Sequence, residues 1–289
     1  MQYLYLVLSV FCLSSSNIIG SLFNRKNQNR VGVTPLYNFF LLAAVFLCWL
    51  MMFLGDRTYD LAVLPYALLF ALCYTVCSIS TINALKTGPV MLTALFGQLS
   101  LILVSVWGFF FWNAAFTWSV GIGLVLTAIA LWLCLYRGKS GESVGISFKW
   151  LRYVLLIVLS NAGCSIVQRT QQTNFGGKYG NFLMVIATGI SALICLVRFL
   201  CSDRRDAKVV ARSSWYFPVL AGVLNAVLNL LVILMATSTL SPSLIYPVLA
   251  IGSLTVVTVF SLVIFKEKMR WWQWLGVFLG MAATGILSL

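Results

Sequence analysis

The chain has 289 residues, of which 61% are hydrophobic and 9% charged, and its mean hydropathy is +0.99. A soluble domain carries roughly 25% charged residues, so this composition could not cover a folded surface for water. The net charge of +13 would suggest nucleic acid in a soluble protein. Here the basic residues lie in short loops between apolar blocks, with no basic stripe and interleaved aromatics, which argues against a nucleic-acid partner.

The apolar blocks run to roughly twenty residues, the length a helix needs to cross about 30 Å of hydrocarbon. Helices are required because lipid offers no partner to a bare backbone N–H or C=O. The alternating ten-residue segments of a β-barrel are absent. The expected fold class is all-α integral membrane, with the lipid bilayer as solvent.

The first block, Met1 to Phe23, has no basic leader and carries Ser14, Ser15, Ser16 and Asn17 at its centre, so it reads as a span and not as a cleaved signal. Ten spans are predicted, at 2–23, 35–54, 61–85, 89–112, 118–136, 151–171, 181–201, 215–238, 242–265 and 271–289. The longest connections are Asn24–Thr34, Arg137–Trp150 and Ser202–Ser214. Pro35, Pro89 and Pro242 fall at helix starts, where a missing N–H costs nothing. Trp112, Trp118, Trp150, Trp215, Trp271 and Trp272 fall at segment ends, where interfacial anchors are expected. Of the eight cysteines, seven lie inside apolar segments and none forms a CxxC pair, so no metal site, redox motif or cofactor is expected.

An offset of 153 residues carries Pro65 onto Pro218, Pro89 onto Pro242, Trp118 onto Trp271 and Gly123 onto Gly276. Two of the six prolines thus coincide with two others at one offset. The reading is a duplication, with a first five-helix repeat over 1–138, a short linker at 139–148 and a second repeat over 149–289. Five is odd, so the second copy enters the membrane from the opposite face, which makes two inverted five-helix repeats. Counting Lys and Arg puts 16 of the 19 on the side of the odd-numbered loops and 3 (Arg57, Arg169 and Lys178) on the other. By the positive-inside rule the odd loops are cytoplasmic and both termini face outward.

The C-terminal run Phe265-Lys266-Glu267-Lys268-Met269-Arg270-Trp271-Trp272-Gln273-Trp274-Leu275-Gly276, continued by Val277-Phe278-Leu279-Gly280, resembles the ending of EamA-like members of the drug/metabolite transporter superfamily. Pro247 and the stretch Ala84-Leu85-Lys86-Thr87-Gly88-Pro89 match further family features. The first copy departs from the pattern, with Ala114 opposite Glu267 and Ala94 opposite Pro247, and the first span has Ser15-Ser16-Asn17 where the family often has Trp-Gly. Family members are usually drawn with cytoplasmic termini, opposite to the charge count. The resemblance implies a ten-span secondary transporter in the cell inner (cytoplasmic) membrane, with a central cavity lined by spans one, three, four, six, eight and nine. Spans five and ten would pack peripherally or form a homodimer, for which Gly276-x-x-x-Gly280 permits close approach.

The chemistry available to such a cavity is neutral. There is no histidine, and Asp56, Asp60, Glu142, Asp203, Asp206 and Glu267 all fall in loops or at span ends, which disfavours proton antiport through a central carboxylate. Uncharged polar groups inside the spans are costly unless they meet partners or a cavity, so the candidates for substrate binding are Asn17, Tyr74, Ser78, Gln98, Asn161, Asn225, Asn229 and Tyr246. Asn225 and Asn229 lie one turn apart on a single helix face. The expected activity is alternating-access movement of a small polar metabolite such as an amino acid or related solute. A lipid-carrier flippase and a non-transporting receptor or scaffold are the alternatives. A membrane enzyme would lack a base or metal set to work with.

Overall fold

The computed structural model describes residues 2–27, 30–87, 90–112, 117–135, 147–203, 205–236, 240, 242–265 and 271–287. Pro89, the linker around Glu142, and Glu267 lie outside the described residues. The helices are α1 (Gln2–Lys26), α2 (Val33–Asp56), α3 (Leu64–Thr87, entered through a 3-10 turn at Leu61–Val63), α4 (Val90–Phe111), α5 (Trp118–Leu135), α6 (Phe148–Asn174), α7 (Gly180–Leu200), α8 (Ala207–Ser214), α9 (Tyr216–Ala236), α10 (Pro242–Phe265) and α11 (Trp271–Leu287). No strand occurs among the described residues. Six helices (α1, α2, α3 with its 3-10 turn, α6, α7 and α9) are long and apolar enough there to cross a membrane, so this is an all-helical, multi-pass membrane protein.

Local chemistry sets several boundaries. Ser147 caps α6, its side chain accepting from the Trp150 N–H. Asp60 does the same for Ala62 at the 3-10 turn. Between α6 and α7 the chain turns through Gly176 and Gly177, with φ of 59° and 81°, a left-handed region that costs glycine nothing. One helix was not expected. The connection Ser202–Ser214 contains α8, whose eight residues put Ala207, Val210 and Ser214 inward and leave Lys208 and Arg212 outward. Its amphipathic turn is too short for a span and too polar to stand out beside one.

The tightest pairings are α5 with α11, α3 with α6, α1 with α9, and α2 with α7, followed by α4 with α10. End-to-end contacts give their directions. At one end, Lys26 Nζ lies 5.4 Å from the Tyr216 ring centre, Phe39 stacks on Phe199, and Trp150 Nε1 donates to Thr93 Oγ1 at 3.0 Å. At the other end, Phe53 meets Phe182, Asn174 Nδ2 donates to Tyr66 Oη at 2.9 Å, and Trp112 Nε1 donates to Thr170 Oγ1 at 3.3 Å. Thus α1 runs antiparallel to α9, α2 to α7 and α3 to α6, while α4 and α6 run parallel.

Without a hydrophobic drive in lipid, helices associate through close packing, which small residues permit. Gly222 of α9 lies so close to α2 that a Cβ there would meet the Leu41 carbonyl oxygen at 2.5 Å and the Ala44 Cβ at 2.9 Å. Gly276 is buried in α11, which packs along α5 within the chain.

The tryptophans divide. Trp118, Trp215 and Trp271 are exposed at helix ends, as interfacial anchors should be. Trp150 does not follow that expectation: it is 1% exposed and bonded to α4. Trp112 is half-buried and bonded to α6. A tryptophan at a segment end is amphipathic in either setting, and a hydroxyl on the facing helix decides between them.

Candidate functional site

A cavity of about 200 Å³ opens between the helices. It is lined from α1, α3, α4, α6, α9 and α10, with Tyr37 and Leu41 added from α2. Each lining helix contributes mainly one face. On α9 the positions are Asn225, Leu228, Asn229 and Val232, and on α6 they are Ile157, Asn161, Cys164, Ser165 and Gln168, the three-and-four spacing of a helical stripe.

Seven of the eight candidate residues line this one cavity: Asn17, Tyr74, Ser78, Asn161, Asn225, Asn229 and Tyr246. Gln98 lies in α4, and its side chain is outside the described residues. Asn225 is the hub. Its Oδ1 accepts from Tyr74 Oη at 2.7 Å and from Asn229 Nδ2 at 2.8 Å, and its carbonyl oxygen also accepts from Asn229 Nδ2 at 2.9 Å. The tyrosine thus ties α3 to α9 across the cavity wall. Asn161 Nδ2 donates to Ser100 Oγ at 2.7 Å, linking α6 to α4. Ser78 Oγ donates to Asn38 Oδ1 at 3.0 Å, linking α3 to α2.

Other polar groups face their own helices. The hydroxyls of Ser14, Ser21, Thr81 and Ser160 donate to carbonyl oxygens four residues earlier, which satisfies a hydroxyl in lipid without a partner helix. Asn38 and Ser100 were not among the candidates. Asn38 stands alone in an otherwise apolar second span, and that isolation was the signal: an amide at membrane depth is there for a partner or a void. Ser100 gave no such signal, since a serine can satisfy itself.

Among the described residues the lining holds no Asp, Glu, Lys, Arg or His. Arg169 lies just beyond it, its Cζ 5.3 Å from the Trp112 ring centre, a cation–π distance, and its guanidinium interacts with the Tyr246 hydroxyl. It is therefore engaged within the bundle, whereas Lys86 is exposed at the end of α3. Asp56, Asp60, Asp203 and Asp206 stay at helix ends. In the connection before α8, Arg205 bonds Asp203 and holds its carboxyl below the usual range. Among the described residues no three acidic, cysteine or histidine side chains are grouped to hold a metal ion.

Residues 148–289 match the EamA-like transporter family. The match takes in the second half of the chain. The match is what a drug/metabolite transporter superfamily member presents, and the EamA-like half begins where α6 begins. One solved crystal structure, 12% identical, has a TM-score of 0.65 over 96% of this chain and 95% of its own. At that identity the likeness is one of fold alone, and it takes in nearly the whole chain. No curated protein matches.

Proposed function

We propose that this protein is a secondary transporter that moves a small polar metabolite, such as an amino acid or related solute, across the cytoplasmic membrane by alternating access. The observation that carries the reading is the cavity itself. Its polar groups are brought together from α1, α3 and α4 of the first half and α6, α9 and α10 of the second. A site shared by two halves is one that their relative motion can open to either face in turn.

Ten spans arranged as two inverted five-helix repeats support the same reading. Counting α8 as a surface helix leaves ten long helices. Exchanging each of the first five with its counterpart in the second half maps every principal helix pair onto another principal pair: α1–α9 onto α6–α3, α2–α9 onto α7–α3, and α1–α10 onto α6–α4. Counterparts also run in opposite directions, α1 ending where α6 begins and α3 ending where α9 begins. A two-fold axis in the membrane plane accounts for both features.

Rocking would break one set of end contacts while the other holds. The Asn174–Tyr66 and Trp112–Thr170 bonds close one end, and Trp150–Thr93 and Lys26–Ser213 close the other. A lipid flippase would need a laterally open apolar groove, and the asparagines converging on this cavity from α1, α6 and α9 count against that. The test is solute uptake by proteoliposomes holding the purified protein, with cysteine pairs placed across each end. Crosslinking either end should abolish uptake, and uptake that persists with both ends crosslinked would refute alternating access.

A further inference from the structure

We infer that the cavity takes an uncharged solute with an amide or lactam edge, in preference to a zwitterion; this rests on the transport reading above, keeps its small polar solute and replaces the amino acid named there as the example. Among the described residues, five carboxamides (Asn17, Asn161, Gln168, Asn225 and Asn229) stand in an otherwise largely apolar wall, and the hydrogen-bonding capacity of the asparagines is only partly spent. Asn225 uses its Oδ1 on Tyr74 and Asn229, which leaves its NH₂ without a partner among the described residues. Asn229 uses its NH₂ and leaves Oδ1. Asn161 uses its NH₂ on Ser100 and likewise leaves Oδ1. The side chain of Asn17 meets no partner among the described residues at all. None of these atoms is sealed off among the buried unsatisfied groups, and all four residues line the cavity.

What remains on offer is therefore a set of neutral donors and acceptors, with the Asn225 donor and the Asn229 acceptor one helical turn apart. An amide or lactam edge, an N–H beside a C=O, is the complement of one carboxamide with both ends open, which is what Asn17 presents, while the Asn225 donor and the Asn229 acceptor each offer one further bond. A zwitterion would bring an ammonium and a carboxylate into a lining that, among the described residues, has no ionised side chain to meet either. Arg169 is engaged by Trp112 and Tyr246. Taking a charge out of water against neutral dipoles alone is unfavourable, whereas an uncharged amide loses less hydration and recovers it bond for bond. The size agrees. A cavity of about 200 Å³ is below the roughly 300–1,000 Å³ of pockets for drug-sized ligands, and suits a single ring with few substituents.

The experiment sets uracil, a neutral lactam, against glutamine, which carries an amide on a zwitterion, as labelled solutes for proteoliposomes of the intact protein. Hypoxanthine and nicotinamide serve as further neutral probes, and alanine as a further zwitterion. The expected result is saturable uptake of at least one neutral probe, with glutamine competing at least about tenfold more weakly. Asn225→Asp keeps the acceptor for Tyr74 and Asn229 but replaces the NH₂ donor with charge, and should cut neutral-probe uptake about tenfold, the upper end for one lost neutral hydrogen bond. Asn17→Ser, a milder change, should cut it about threefold. Uptake of the zwitterions equal to or better than that of the neutral probes would overturn the inference and leave the transport reading standing. No uptake of any solute by monodisperse protein would overturn both. The competition arm uses only the unmodified protein, so it decides even if a variant fails to fold.

Discussion

The α5–α11 pair and the α3–α6 pair are both close helix pairings in this fold, yet they differ in what they enclose. Between α3 and α6 lie Tyr74, Cys77, Ser78, Asn161, Cys164 and Ser165, all facing the cavity. Along α5 and α11 no described residue reaches it, and the buried hydroxyl of Thr127 bonds the Gly123 carbonyl of its own helix at 2.7 Å. Both pairs are apolar enough to sit in lipid. What separates them is whether polar groups converge across helices or are satisfied within one. The α5–α11 pair therefore has the character of a peripheral brace, and α3–α6 that of a wall.

That contrast can be broken most severely at the seam beside the wall. Gly222→Val would drive a branched side chain into the Leu41 carbonyl oxygen, and a destabilisation at or above about 1–3 kcal/mol is expected. A large fall in the melting temperature of detergent-solubilised protein would verify it. Next comes Asn225→Ala, which removes the acceptor of two bonds, strands the Tyr74 hydroxyl and should cost about 1–3 kcal/mol. It should also depress uptake more than stability alone explains, which transport assays normalised to folded protein would reveal. Trp150→Phe deletes the bond to Thr93 at about 1 kcal/mol, measurable as a small thermal shift.

On the brace, Phe278→Ala truncates a side chain that is 59% exposed and should stay within about 0.5 kcal/mol, with uptake unchanged. A strong transport defect there would mean that α11 is not peripheral to function. The smallest effect concerns pH. With no carboxylate, histidine or amine among the described lining residues, uptake should be flat from about pH 5 to 8, and a steep titration would contradict the neutral site. Arg205 holds the Asp203 carboxyl low, so that ion pair stabilises above the usual carboxylate range and is lost as pH falls through the lowered value. Because both groups lie exposed at the surface, Asp203→Asn should leave the melting temperature unaltered.

Much of the site could be read before any coordinates. Asn17, Asn161, Asn225 and Asn229 stood out because a carboxamide inside a twenty-residue apolar block has few reasons to be there. Serines and threonines were harder, since Ser14, Ser160 and Thr81 carry the same signal as Ser78 and yet bond their own backbones. Helix α8 was missed because one or two amphipathic turns in a charged connection resemble an ordinary loop. The place of Trp150 was missed because a tryptophan suits the interface and the interior alike.

By itself the amino-acid sequence determined that the chain crosses a membrane as helices, where those helices run, and that no ionised side chain lies at membrane depth in the described lining. These follow from burial and backbone hydrogen bonding, which act locally along the chain. Only the tertiary structure decided that Asn225 meets Tyr74 rather than another partner, that Arg169 is taken up by Trp112 and Tyr246, and which amide atoms are left over for a ligand. Those depend on which helix faces meet, and in lipid that choice is made by the close fit of small residues such as Gly222 against Leu41 and Ala44, a matter of three-dimensional shape that hydropathy along the chain does not encode.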